Sequence, residues 1–202
     1  MTMKKDDIKQ AAKLYGLSVI GTFFNVLVYF SLTSLTLLLA DDKGVVPAGA
    51  TAAAGVVALV FQLMLFVMII YGPMWKCGNR DINAVKYGRR AEDKNVGLKI
   101  GLVAAIPSIL TYVLLLADKL FGFWPTCTSM YRIAHLALYP LVVWAFGADA
   151  GVSTAGVTWG GMLLAAVPLL VMPAVAAIAY RIGYADMLLM ERIVYTDKKE
   201  EK

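Results

Sequence analysis

PMWKCGNRDINAVKYGRRAEDKNVGLK, residues 73–99, is the stretch whose reading decides the fold. Apolar runs flank it on both sides, and it holds most of the chain's dense polar chemistry. Seven cations (Lys76, Arg80, Lys86, Arg89, Arg90, Lys94, Lys99) sit among three acids (Asp81, Glu92, Asp93). Basic residues concentrated in a short segment between apolar runs mark the cytoplasmic side of a membrane protein. Residues 73–97 are therefore expected to be a cytoplasmic loop between two transmembrane helices.

Composition agrees. Of 202 residues, 60% are hydrophobic and only 16% charged, whereas a soluble domain carries about a quarter charged residues. The length leaves room for one transmembrane bundle and no separate soluble domain. The net charge of +5 is read as a topological signal rather than as affinity for nucleic acid, because membrane proteins carry Lys and Arg in their inner loops.

Four clean apolar runs fall at 14–39, 49–72, 98–117 and 158–180. The first is long enough, at about 1.5 Å per residue, to cross a hydrocarbon core of about 30 Å, and too long for a signal-peptide core. It is expected to be retained as an anchor. In the second, small residues (Ala50, Ala52, Ala53, Ala54, Gly55) precede bulky ones. That order predicts close packing in its first, outer half and looser packing in its second. The third opens on Gly97, Gly101 and Ala105, a small-xxx-small ladder that predicts a close helix contact. Pro107 predicts a kink just beyond it. Pro168 and Pro173 are expected to break the last run.

Residues 130–147 are shorter, interrupted by Arg132, His135, Tyr139 and Pro140. Thr128, Arg132, His135 and Tyr139 fall on one helical stripe, an amphipathic pattern. Charge counting places this segment. The tail 1–13 has four Lys, the central segment seven Lys or Arg, and the tail 181–202 five; only Lys43, Lys119 and Arg132 lie elsewhere. Putting all three basic segments inside requires an even number of crossings. The expected fold is thus an all-α integral membrane protein of four transmembrane helices, with 130–147 as an amphipathic or re-entrant segment on the outer face. If 130–147 also crossed, the count would be five and the tail 181–202 would lie outside. An apolar stripe of Ile182, Ala185, Leu188, Leu189 and Ile193 predicts that the last helix runs on past Tyr180. The location implied is the plasma membrane of a bacterium, with both termini cytoplasmic.

No Gly-rich phosphate loop, HExxH or GxSxG occurs, and no catalytic residue, cofactor or metal is assigned. Cys77 and Cys127 have no metal-ligand spacing and are expected on opposite sides of the membrane, too far apart to pair. Asp81 and Asn83 lack the further ligands of a calcium loop; Asp81 is expected to cap a short helix over 82–94, with Arg89 and Asp93 four apart on it. Asn25 and Gln62 are the notable polar groups inside the runs. They fit interhelical hydrogen bonds or a solute pathway. No acid or Arg lies near the centre of a clean run, which disfavours an ion-coupled pump.

The central segment carries more than topology needs. Acids and amides (Asp81, Asn83, Asp93) stand between the cations, so a folded surface is expected, formed by Arg80, Asp81, Asn83, Lys86, Tyr87, Arg89, Arg90 and Asp93. It suits the lipid bilayer's anionic headgroups, another membrane protein, or a second copy of the chain. The leading functional expectation is a non-enzymatic membrane subunit or accessory protein. A small transporter or pore is the alternative. The third reading is a membrane enzyme at the outer interface using His135, Arg132 and Asp149.

Three stretches resemble uncharacterised small membrane proteins of clostridia-like Gram-positive bacteria. They are Asp81-Ile-Asn-Ala-Val-Lys-Tyr-Gly-Arg-Arg through Gly97-Leu-Lys-Ile-Gly-Leu, Tyr131-Arg132, and Gly183-Tyr184 through Glu191-Arg-Ile-Val-Tyr195. The resemblance implies no activity.

Overall fold

The computed structural model describes residues 5–41, 44–122, 124, 126–147 and 153–200, with side chains as far as Ala185. Every regular element among them is helical. Helix α1 spans Lys5–Thr36, α2 Ala48–Lys86, α3 Val96–Ala104, α4 Ile106–Phe121, α5 Cys127–Ala134, α6 Tyr139–Phe146 and α7 Trp159–Glu200. Short 3-10 turns follow α1 (Leu37–Leu39), join α5 to α6 (Leu136–Leu138) and precede α7 (Thr154–Gly156). Among the described residues three helices are long and apolar enough to cross a membrane, or four spans result if α3 and α4, bent by 54°, form one broken span.

The long helices bury one narrow stripe each. In α1 it is Asp7, Ala11, Leu14, Ser18, Gly21 and Asn25, steps of three and four that keep one side of a helix facing its neighbour. In α2 the stripe runs Gly55, Ala58, Gln62, Phe66, Ile70, Met74, Cys77 and Asp81, with Gly78 beside it. The faces turned outward are bulky and apolar: Phe23, Phe24, Leu27 and Phe30 on α1, Phe61, Met64 and Met68 on α2, Leu163 and Leu170 on α7.

Helix α2 does not stop at Gly72. It runs through Pro73 to Lys86, so half of the expected central loop is helix. Pro73 removes a single backbone donor, and the rest of the ladder continues around it. Asp81 therefore caps nothing, the short helix over 82–94 does not form, and Arg89 and Asp93 do not share a helix face. Gly88, at φ +68°, takes the left-handed conformation that turns the chain out of α2. The expected packing of α2 does not divide by halves. Among the small residues Gly49, Ala52 and Ala53 are exposed while Gly55 is buried against Trp144, and among the bulky ones Phe61 and Met64 are exposed while Phe66 lies in the core. Helix α7 passes through Pro168 and Pro173 unbroken. The α3–α4 bend sits at Ala105, with Pro107 in the first turn of α4, where its missing N–H costs nothing.

Asp7 of α1 is ion-paired to Arg90, and Arg181 of α7 donates to Asn95. The N-terminal end, the 87–95 turn and residue 181 therefore share one end of the bundle, here the basic end. At the far end Lys119 of α4 donates to the carbonyls of Ala155 and Val157 just before α7. The α5–α6 segment enters and leaves at that far end. Thr128 at its start pairs with Thr154 at 3.0 Å, Ala145 near its finish lies against Gly161, and between them Ala137 reaches Asn25 at mid-bundle.

Candidate functional site

The polar centre lies at the basic end. Arg90 sits between two acids from two helices. Its Nη2 lies 2.9 Å and 3.1 Å from the Asp7 carboxylate oxygens, and its Nη1 lies 2.8 Å from Asp81 Oδ2. Both carboxylates are almost fully buried. A guanidinium suits this place because its fork serves two acceptors at once and stays charged. Tyr180 of α7 donates to Asp81 at 3.2 Å, and Arg80 donates to the other Asp81 oxygen at 3.1–3.2 Å. The network thus fastens α1, α2 and α7 to the 87–95 turn. Lys99 holds the Asp93 carboxylate below the usual acid range through a direct hydrogen bond, helped by the Asn95 N–H at 2.9 Å. Cys77 lies in the same nest. Its Sγ lies 4.0 Å from Asp81 Oδ2 and accepts from Arg80 Nη2 at 3.5 Å.

Glycine brings the helices close enough for this. A Cβ on Gly78 would overlap the Tyr180 carbonyl, and one on Gly183 would overlap the Trp75 carbonyl. Helices α2 and α7 therefore cross backbone to backbone one turn from Asp81. Gly97 and Gly101 face α7 in the same way: a Cβ on Gly101 would stand 2.7 Å from the Pro173 Cα. Ala105, the third step of the ladder, is buried at the bend.

At mid-bundle Asn25 and Gln62 face each other. Asn25 Nδ2 donates to the Gln62 carbonyl at 3.3 Å and to the Ala137 carbonyl at 3.0 Å, and Gln62 Nε2 donates to the Asn25 carbonyl at 3.0 Å. Both are fully buried, and their bonds stitch α1, α2 and the hairpin apex together. The stripe of Arg132, His135 and Tyr139 does not face outward as an interfacial helix would require. Thr128, Arg132 and His135 are buried, and the helix breaks at His135. Arg132 donates to the Gly147 carbonyl at 3.0 Å, tying the two limbs of the hairpin. The Tyr139 ring packs edge-on against Tyr29, 4.8 Å between centroids. Bonds of this kind to protein groups let a non-helical segment sit inside the bundle rather than on its rim. Asp149 lies outside the described residues.

The expected surface divides. Arg90 and Asp81 are spent inside the protein, Asp93 is paired to Lys99 at the surface, and Asn83 donates to the Asn79 carbonyl at 3.1 Å in its own helix. Lys86, Tyr87 and Arg89 are exposed, and Arg80 keeps half its side chain in the open while bonding Asp81. Sequence reading missed Asp7 and Tyr180, and it missed Lys13 and Lys76, which join Arg80 around a groove of about 320 Å3 between α1 and α2. A signal for Asp7 existed: counting back from Asn25 in steps of four and three reaches it. The free cysteines, Cys77 and Cys127, are both buried. Compared with protein families, curated proteins and solved structures, the chain matches none of them.

Proposed function

We propose that the protein is a multi-pass subunit of a bacterial plasma membrane, without catalysis of its own, that works by packing against another membrane protein. Four crossings are supported by the geometry. The N-terminal helix, the 87–95 turn and Arg181 meet at one end, while 127–146 enters and leaves at the other. With the basic segments inside, both termini are cytoplasmic and 127–146 is a re-entrant hairpin from the outer face.

One observation carries the subunit reading. The outward faces of α1 and α7 are mainly bulky (Phe, Leu, Ile and Val), with single small residues such as Gly16 and Ala174 between them. The first turns of α2 instead expose Gly49, Thr51, Ala52 and Ala53. Small residues at the surface of a membrane helix favour close approach by a second helix. The cationic rim of Lys13, Lys76 and Arg80 suits anionic lipid headgroups beside it, at about 1 kcal/mol per basic residue.

The test is gentle purification of the tagged protein from its native membrane beside Ala52→Ile and Ala53→Phe variants. A stoichiometric membrane protein, or a second copy, is expected with the wild type and is lost from variants that remain monodisperse. Recovery of the wild type alone, as a monomer, removes the reading.

A further inference from the structure

Toward the basic end from the contact of Gly21 with Ile69, a groove of about 320 Å3 opens between α1 and α2. Lys13 of α1 and Lys76 and Arg80 of α2 line it, with Gln10 beside them, and no acid does. We propose that this groove seats an anionic phospholipid of the inner leaflet, its phosphodiester held between Lys13 and Lys76 and bonded by Arg80. The site rests on the membrane placement proposed above and needs no partner protein.

The three cations have bonds to give. Among the described residues no acid lies within ion-pair distance of Lys13 or Lys76. By contrast Lys94 is engaged with Glu92, Lys99 with Asp93, and Arg90 with Asp7 and Asp81. Arg80 is anchored on one side only. Its Nε and Nη2 donate to Asp81 Oδ1, and Nη2 also reaches Cys77 Sγ. Its Nη1 bonds nothing among the described residues, and half of the side chain is open. A guanidinium fixed in this way presents its remaining N–H groups in a set direction, and charge-assisted bonds to a phosphate oxygen are among the strong ones. Two ammonium groups on one groove repel, and an anion between them turns that cost into attraction.

What lies beneath the groove selects a lipid over a free phosphate. The apolar run of α1 starts at Leu14 and that of α2 ends at Gly72, so Lys13 and Lys76 stand at headgroup depth. Steps of three and four keep to one helix face. They lead from Lys13 through Gly16 to Ile20 and Phe24, and from Lys76 through Gly72 to Met68 and Met64. A Cβ on Gly16 or Gly72 would meet nothing within 4 Å, and Ile20, Phe24, Met68 and Met64 are all exposed. Each helix therefore carries an open apolar lane running from its lysine into the membrane. Acyl chains fill such lanes, whereas a soluble phosphate has no contact to make there.

The probes are phosphatidylglycerol and phosphatidylcholine of matched acyl chains, and glycerol phosphate as a headgroup without chains. Each is titrated into the purified protein in neutral detergent, and native mass spectrometry reads the adducts. Phosphatidylglycerol is expected to bind roughly tenfold or more tighter than phosphatidylcholine, and glycerol phosphate is expected not to displace it. Lys13→Gln combined with Lys76→Gln is expected to weaken phosphatidylglycerol about thirtyfold, the product of about fivefold for each charge. Lys9→Gln combined with Arg89→Gln removes the same charge from exposed positions outside the groove and is expected to leave binding nearly unchanged. Gly72→Leu keeps every charge, fills the groove and is expected to weaken binding about as much as the lysine pair. Equal affinity for the two lipids overturns the proposal. So does an equal loss in the two double variants, which would show a diffuse surface field, unchanged binding in Gly72→Leu, or displacement by glycerol phosphate, which would show a soluble ligand. If Gly72→Leu is not monodisperse, the two double variants decide. A chain that enters phosphatidylcholine nanodiscs and fails these tests loses only this site, whereas one that stays out of them loses the membrane placement as well.

Discussion

Asn25 and Gln62 each donate a side-chain amide proton to the other's backbone carbonyl, at 3.3 Å and 3.0 Å. The exchange is unequal in what else it does. Asn25 also donates to Ala137 at the hairpin apex, while Gln62 serves the pair alone. Each amide oxygen meets no donor among the described residues, so replacing either side chain also removes a buried orphan. Gln62→Leu is therefore expected to cost no more than about 1 kcal/mol, and Asn25→Leu about 2 kcal/mol, near the upper end for interhelical hydrogen bonds. Unfolding in bicelles by titrated denaturing detergent measures both. A larger loss for Gln62→Leu than for Asn25→Leu refutes the assignment.

Arg89 and Arg90 are neighbours in sequence with opposite expected weights. Arg89 is exposed, and Arg89→Ala is expected to stay within about 0.5 kcal/mol of the parent. Arg90→Met leaves the buried Asp7 and Asp81 without their shared guanidinium and is expected to cost roughly 3–5 kcal/mol. The same unfolding titration, with circular dichroism as readout, separates them. Equal stabilities would show that the network does not hold the basic end.

The glycines make a sharper pair. Gly183→Ala drives a methyl into the Trp75 carbonyl. Backbone cannot move aside as a side chain can, so the loss is expected at about 3 kcal/mol or more. Gly16 lies in α1 with nothing within 4 Å of a Cβ, so Gly16→Ala is expected to gain up to about 1 kcal/mol from backbone entropy. A neutral Gly183→Ala would mean that α2 and α7 do not cross backbone to backbone.

Periodicity and charge in the sequence determined the helical class, the long apolar runs and the small-residue ladder at Gly97 and Gly101. These depend only on residues near one another in the chain, and side chains three and four apart share a helix face whatever surrounds them. The helix phase reached further than the charge pattern. It carries from Gln62 to Asp81 through Phe66, Ile70, Met74 and Cys77, and from Asn25 back to Asp7. Polarity alone had suggested that α2 ends at Gly72, because Lys and Arg read as loop. The tertiary structure decided otherwise, since a neighbouring helix can neutralise a buried charge that sequence shows as isolated. Which of two adjacent arginines turns inward was settled by Asp7, some eighty residues away, and by Tyr180. The inward face of the His135 stripe goes with Asn25, which offers the hairpin apex a donor at mid-bundle. Such choices belong to pairings between distant segments, and their free energy exists only when the segments meet.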